Sequence, residues 1–231
     1  MDYDYIRYSI LNVFAECELF SFPLNCFEVF KHYKISAYPY SELDEPLREY
    51  CLNYSNDALN YRGKICYNDK MQEGRIRFSL MHELGHVILK HGESPSKEQE
   101  KEADFFASHT LAPRMAIHYA KCKNQNDVAK LFRLSQEAAQ YAFDDYRRWY
   151  RRTVYHKMND FDKAMYAHFY NHDANCFVYN IKSCAYCNSM LYNSSEIICK
   201  RCSSPIHSYL QHQQQDDELL IAESQWLYGG L

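Results

Sequence analysis

The stretch His82-Glu83-Leu84-Gly85-His86 constrains this chain more than any other feature of its sequence. The residues around it, from Arg75 to Leu89, predict a helix. On a helix, two histidines four residues apart project from the same face and can bind one metal ion. Glu83 follows the first histidine, where it can take a proton from an attacking water. The pattern is typical of zinc peptidases, so we predict a catalytic zinc bound by His82 and His86.

A catalytic zinc needs a third protein ligand. The metzincin arrangement, with a third histidine six residues after the second, is excluded because that position is Gly92. A second helix is predicted from Lys97 to about Leu111, since Ser96 and Gln99 form a capping-box pattern and Pro113 stops the helix. Its inward stripe is predicted to consist of Ala103, Phe106, Ala107, Thr110 and Leu111.

Helical spacing favours Glu100 as the third zinc ligand, because Glu100 projects within this inward stripe. Asp104 lies one turn further on the same side and could accept the free ring N–H of a ligand histidine. Glu102 lies on the opposite edge of the helix and is the alternative third ligand. The competing interpretation makes these acidic residues an ordinary solvated face.

Three segments together resemble a known family, the ImmA/IrrE metallo-endopeptidases. They are Phe78 to Gly92, then Glu100-Lys101-Glu102-Ala103-Asp104-Phe105-Phe106-Ala107, and the stop Leu111-Ala112-Pro113, in which Ala112 stands where the family usually has methionine. The resemblance covers about residues 60–150. It implies a cytoplasmic bacterial or phage peptidase that cleaves a helix-turn-helix repressor, often encoded beside it. Such cleavage switches on genes of a mobile element or a damage response.

Four cysteines form a second metal-binding pattern. Cys184 and Cys187 make one Cys-x-x-Cys knuckle, and Cys199 and Cys202 make another after 11 intervening residues. Two knuckles offer four thiolates to one ion, which predicts a structural zinc and resembles a zinc ribbon. A redox role is the weaker interpretation of paired knuckles. The segment 188–198 is predicted to form a hairpin that turns at Asn193-Ser194-Ser195.

The segment 126–152 is open to two interpretations. Its spacing is that of a helix-turn-helix, with Ser135 capping the second helix, and Arg147 to Arg152 interleaves basic and aromatic residues as nucleic-acid surfaces often do. A helical pair packed on the catalytic core is the favoured interpretation. The net charge is −4, and the second helix carries Glu137, Asp144 and Asp145, which would repel phosphate.

Composition sets the remaining limits. A 231-residue chain with 47% hydrophobic and 24% charged residues is typical of a globular protein. No apolar run approaches the roughly 18 residues of a membrane span, and the N-terminus lacks the pattern of a signal peptide. We therefore expect a cytoplasmic protein without membrane contact. Its cysteines are then expected to be thiols or metal ligands, and those outside the two knuckles to be buried thiols.

The predicted fold class is α+β and mainly helical. A zincin-like core would carry a small sheet beside the HELGH helix, and a zinc ribbon would follow. Residues 4–20 and 24–34 predict helices, and 59–68 predicts a hairpin whose edge could bind an extended substrate, with a plain core strand as the alternative. The predicted divisions are the core 1–125, a helical extension 126–175, the ribbon 176–210, and a polar tail 211–231 with a short docking helix.

The predicted function is that of a zinc-dependent endopeptidase acting on a protein substrate. Its cofactors would be one catalytic and one structural Zn²⁺. The donor for the developing oxyanion stays open among His91, His109, His118 and Tyr119. The competing class is a non-catalytic regulator that binds DNA or protein through the ribbon and the helix-turn-helix-like segment.

Overall fold

The computed structural model describes residues 2–92 and 94–204, and it is mainly helical with small sheets, as the sequence predicts. The described helices are α1 (Tyr3–Glu16), α2 (Cys26–His32), α3 (Glu45–Tyr54), α4 (Glu73–Ile88), α5 (Lys97–Leu111), α6 (Arg114–Tyr119), α7 (Gln125–Phe132), α8 (Gln136–His156) and α9 (Asp160–Phe169). The described strands are β1 (Ser36–Pro39), β2 (Ala58–Tyr61), β3 (Lys64–Tyr67), β4 (Tyr170–Asn171), β5 (Cys176–Phe177), β6 (Ile181–Ser183) and β7 (Met190–Tyr192). The first helix is shorter than predicted because Glu18 adopts a left-handed φ of 51°.

The chain divides into two compact units, Met1–Asn180 and Ile181–Leu231. The finer predicted boundaries at residues 125, 175 and 210 stay predictions, and the predicted tail 211–231 lies outside the described residues. Within the described part of the chain, none of the helices has the length and apolar character that crossing a membrane requires.

The predicted hairpin forms an edge of a three-stranded sheet in the first unit. The strand order is β1-β3-β2, with β1 parallel to β3 and β2 antiparallel to it. Arg62 and Gly63 connect β2 to β3, and both have positive φ angles, of 52° and 79°. Such a two-residue turn matches the right-handed twist of the strands. The sheet order places β2 at an edge of the sheet.

The core of the first unit is built around the close packing of α4 on α5. The predicted inward stripe of α5 is confirmed, because each of its five members is buried. Gly85 allows this close approach: a Cβ added there would lie 3.1 Å from Phe106 Cδ1. The predicted capping box is also confirmed, since Ser96 Oγ accepts from the N–H of Gln99 at 3.3 Å and Gln99 Oε1 accepts from the N–H of Ser96 at 2.9 Å.

The helical pair α7 and α8 packs on the same core. Val128, Phe132 and Ala139 are buried in the cluster that also contains residues of α4 and α5. The chain turns between the two helices at Arg133, whose φ is 51°, and Ser135 Oγ then accepts from the N–H of Ala138 at 3.2 Å. The predicted cap is thus confirmed, and the pair is arranged as the packed-pair interpretation expects.

The second unit contains a hairpin, but not the predicted one. Strands β6 and β7 pair antiparallel on either side of the first knuckle, from Ile181 opposite Tyr192 to Ser183 opposite Met190. The prediction of a hairpin over 188–198 was wrong: among the described residues of that segment, only 190–192 is strand. The first knuckle itself supplies the tight turn, together with Asn188, whose φ of 55° is left-handed. The two strands therefore flank Cys184 and Cys187 and do not both lie between the two knuckles.

Candidate metal centre

Helices α4 and α5 bring His82, His86 and Glu100 together, with one donor atom of each within 4.8 Å of the others. The two Nε2 atoms are 3.0 Å apart. Glu100 Oε2 lies 3.1 Å from His82 Nε2, and Glu100 Oε1 lies 3.6 Å from His86 Nε2. Ligand atoms around a tetrahedral zinc are about 3.3 Å apart. Two imidazole nitrogens and one carboxylate at this spacing therefore fit a zinc ion with one open position.

Asp104 lies one turn beyond Glu100 and contacts the other ring nitrogen of His82, with Oδ1 2.9 Å from Nδ1. Burial of His82 opposes its charged form, but the hydrogen bond and the charge of Asp104 outweigh burial and raise the pKa of His82. A carboxylate at Nδ1 fixes the tautomer that leaves Nε2 directed at Glu100 and His86. The structure thus places Asp104 where the helical spacing predicts.

His86 is the more buried of the two histidines. Burial and the neighbouring His82 lower the pKa of His86 to about 4, so its imidazole is neutral near pH 7. Its Nδ1 lies 2.9 Å from Nδ1 of His91. Glu102, the alternative third ligand, contacts His91 instead, with Oε2 3.2 Å from His91 Nε2. Glu100 therefore contacts the two candidate ligand histidines directly, whereas Glu102 contacts His91 behind His86.

Glu83 lies on α4 between this group and the sheet. Its carboxylate accepts from the backbone N–H of Asn60 in β2. Burial raises the pKa of Glu83 and Glu100 adds to this effect, whereas His82 and the hydrogen bond from Asn60 oppose it. A divalent cation at the histidines would oppose the effect of burial and favour the ionised form of Glu83. The geometry holds a carboxylate beside the metal-binding atoms, in contact with the edge strand.

Two of the three candidate ligand side chains border a cleft of about 1210 Å³ that also reaches β2 and the N-terminal half of α8. His82 and Glu100 line it together with Glu83 and Asp104. Tyr54 and Tyr141 also line it, and they are 70% and 67% exposed. No sequence signal singled out these two among the 22 tyrosines of the chain.

The sequence left four residues open as the donor to the oxyanion, and each of them contacts other groups in the structure. His91 lies behind His86, and His109 Nε2 is 3.1 Å from Asp145 Oδ2. His118 stacks on Tyr150, and Tyr119 stacks on Phe177 with ring centroids 4.5 Å apart. The cleft's lining has other hydrogen-bond donors, among them Tyr54, Tyr141 and Arg75.

The four knuckle cysteines of the second unit also converge, with their Sγ atoms within 4.8 Å of one another. Backbone N–H groups point at the sulfurs: that of Cys199 lies 3.3 Å from Cys184 Sγ, and that of Cys202 lies 3.4 Å from Cys199 Sγ. Hydrogen bonds from backbone N–H groups lower the pKa of Cys184 to about 6, which favours the thiolate that a metal binds. A tetrahedral set of four thiolates fits a structural zinc.

A family model that spans the HELGH helix agrees with the candidate site. Residues 41–144 match the family model of the IrrE N-terminal-like domain, Peptidase_M78. A Mycobacterium tuberculosis transcriptional regulator of known structure is similar at 14% identity with a TM-score of 0.43, over 59% of this chain and 45% of that protein. No curated protein matches significantly. The segment 41–144, with α4 and α5 at its centre, is an IrrE N-terminal-like domain of a metallopeptidase family, as the resemblance to the ImmA/IrrE proteins predicted.

Proposed function

We propose that this chain is a zinc-dependent endopeptidase that cleaves a protein substrate. The observation that carries the proposal is the convergence of His82, His86 and Glu100 beside a cleft that is also lined by Glu83. Two histidines and a glutamate are a ligand set of catalytic zinc sites, which keep one position open. A structural zinc would not need a carboxylate at the position of Glu83.

The chemistry assigns a role to each of these groups. When bound, Zn²⁺ would polarise the scissile carbonyl and acidify a water molecule. Glu83 takes the proton of that water as its oxygen attacks the carbonyl carbon. The C–N bond then breaks, and Glu83 delivers the proton to the leaving amine. Asn60 orients the Glu83 carboxylate through its backbone N–H, so the base is aligned with the edge strand.

The substrate would lie as an extended segment along β2. The sheet order puts β2 at an edge, and Ala58 and Leu59 line the cleft beside Glu83. An edge strand offers unpaired backbone groups to an extended peptide. Binding through the backbone requires that the bound segment of the substrate is extended. We therefore expect the cleaved bond to lie in a flexible linker and not in a packed helix.

A helix-turn-helix repressor is the substrate that the resemblance to the ImmA/IrrE proteins implies, and we adopt it as part of the proposal. This activity would take place in the cytoplasm, where the cysteine ligands of the second unit stay reduced. In that unit, Cys184, Cys187, Cys199 and Cys202 would hold a structural zinc, and the ribbon would recruit the substrate or a partner protein.

The competing function is a regulator that binds DNA through α7 and α8, and the four exposed arginines near the end of α8 favour it: Arg147, Arg148, Arg151 and Arg152. A helix-turn-helix reads bases with the N-terminal residues of its second helix. Here that end of α8 lines the cleft through Ser135, Glu137 and Tyr141. This placement supports the peptidase.

Glu83→Gln tests the proposal. It keeps the volume of the side chain and removes the base, so we expect zinc content to be unchanged and cleavage to fall by about 100- to 10,000-fold. The probes are fluorescein-labelled casein and, where one is encoded beside this gene, the helix-turn-helix repressor. Glu28→Gln, an exposed change on α2, is the matched control. Full cleavage by the Glu83→Gln protein would exclude the mechanism.

A further inference from the structure

A hydrogen-bonded chain runs outward from His86, away from the cleft. Nδ1 of His86 lies 2.9 Å from Nδ1 of His91, and Nε2 of His91 lies 3.2 Å from Oε2 of Glu102. The side chain of His91 is only 4% exposed and that of Glu102 is 20% exposed. The His91 imidazole is thus enclosed between a candidate ligand and a carboxylate.

The backbone places His91 there. The chain leaves α4 through Lys90, whose φ of 57° is left-handed. The N–H of His91 then donates to the C=O of His86 at 2.9 Å, and the N–H of Lys90 donates to the C=O of Val87 at 3.2 Å. This pair of bonds is the Schellman ending of a helix, in which the side chain of the second residue after the cap folds back on the last turn. That contact is usually apolar, whereas here it joins two imidazoles.

The hydrogens along this chain can be assigned in one consistent order. If His86 binds a metal through Nε2, its Nδ1 carries the hydrogen and must donate. His91 then accepts at Nδ1, so its own hydrogen is on Nε2 and is donated to Glu102. This order satisfies every polar atom of both rings, in the same way that Asp104 satisfies His82.

We propose that His91 is a positioning residue of the metal site, held by Glu102, which fixes the tautomer and orientation of His86. This inference deepens the proposed function and rests on it for the metal. The two ligand histidines are then oriented differently: His82 directly by a carboxylate, and His86 by a carboxylate acting through a second imidazole. A group that orients a ligand histidine usually changes metal affinity by about 10- to 100-fold when it is removed.

Zinc competition against a chromophoric chelator tests this in the full-length protein. His82→Ala protein, which should retain only the cysteine site, defines the baseline for that site. His91→Leu should weaken zinc binding at the other site by about 10- to 100-fold. His91→Asn should restore most of this affinity, because its amide oxygen can accept from His86 Nδ1. His32→Leu, an exposed histidine on α2, is the matched control.

The Co²⁺-substituted proteins provide a second readout. The d–d spectrum of the HELGH site should shift in His91→Leu and Glu102→Leu, while the thiolate bands of the cysteine site stay constant. Unchanged affinity in His91→Leu would overturn the proposal, and so would equal losses in the Leu and Asn variants, since these would point to packing alone. If His91→Leu does not fold, the zinc affinity and the Co²⁺ spectra of Glu102→Leu and His91→Asn still test the proposal. Failure of the proposed function is distinct: His82→Ala would then leave the zinc content unchanged.

Discussion

Gly74 in α4 and Ser135 before α8 approach so closely that a Cβ added to Gly74 would lie 2.5 Å from the backbone nitrogen of Ser135. The backbone carbon of Leu134 would lie 2.7 Å away. The start of the HELGH helix therefore rests directly on the turn between α7 and α8. This contact fixes the end of α8 that lines the cleft relative to the histidines of α4.

Gly74→Ala should destabilise the protein despite the higher helix propensity of alanine. The clashing atoms belong to the backbone, so α4 or the turn must move, and overpacking of this kind costs about 1 to 3 kcal/mol. Alanine recovers only about 1 kcal/mol of propensity. Urea unfolding measures the net loss. Gly92→Ala is the matched control, because nothing lies within 4 Å of its added Cβ; equal stability of the two variants would contradict the packing argument.

Metal content should depend separately on the two candidate sites. We expect elemental analysis to give two zinc ions per chain in the wild type and one in His82→Ala, because His82 supplies one of three protein ligands. Cys199→Ser should also give one zinc, and the double variant none. A value of one in both the wild type and His82→Ala would mean that only the cysteine site binds zinc.

Acid should weaken the contacts of Asp145. Burial alone would raise its pKa, but the hydrogen bond with His109 and the charges of His109, Arg114 and Arg148 outweigh burial and lower the pKa from 3.8 to about 2. A folded-state pKa below the unfolded value stabilises the fold above about pH 4. This stabilisation, about 2 kcal/mol for a shift of this size, is lost as the pH falls towards 2.

Asp145→Asn tests this directly. Its free energy of unfolding, measured with urea, should be about 2 kcal/mol below that of the wild type at pH 7. The difference should shrink at pH 3, because the carboxylate of the unfolded chain is then largely protonated whereas that of the folded protein is still largely ionised. A difference that is independent of pH would show that the amide disturbs packing and that ionisation of Asp145 contributes little.

Arg75 and Asp57 should couple the HELGH helix to the start of β2. Their bidentate ion pair has two distances of 2.6 Å, but the side chains are 57% and 30% exposed. Solvent therefore screens the pair, and a double-mutant cycle with Arg75→Gln and Asp57→Asn should give a coupling below about 1 kcal/mol that decreases in 1 M salt. Because β2 borders the cleft, the same variants should raise KM more than they lower kcat. A change confined to kcat would argue against a role in substrate binding.

Local pattern was sufficient for the helices that carry the metal site. Ser96 and Gln99 predicted the start of α5, and the spacing of its apolar residues predicted the buried face, because capping and helical periodicity act over a few residues. The same periodicity placed Glu100 and Asp104 on one side of α5, where the structure has them beside His82.

What local pattern misplaced or left open shares one cause. The hairpin of the second unit was misplaced because its strands flank the first knuckle, and the pairing depends on contacts across that turn. Glu102 was kept as an alternative ligand because helical spacing gives its side of α5 but not its partner, His91, which a Schellman ending carries back over His86. Tyr54 and Tyr141 carried no local signal at all.

The sequence by itself determined the helix that carries His82 and His86, the acidic helix that follows it, and the two cysteine knuckles, since each is set by spacing within a few turns of chain. Only the tertiary structure decided that Glu100 and not Glu102 approaches both histidines, that Asn60 contacts Glu83, and that α8 presents its first turns to the cleft. These relations depend on how closely separate elements pack, and a glycine such as Gly74 or Gly85 sets that distance through the absence of a side chain.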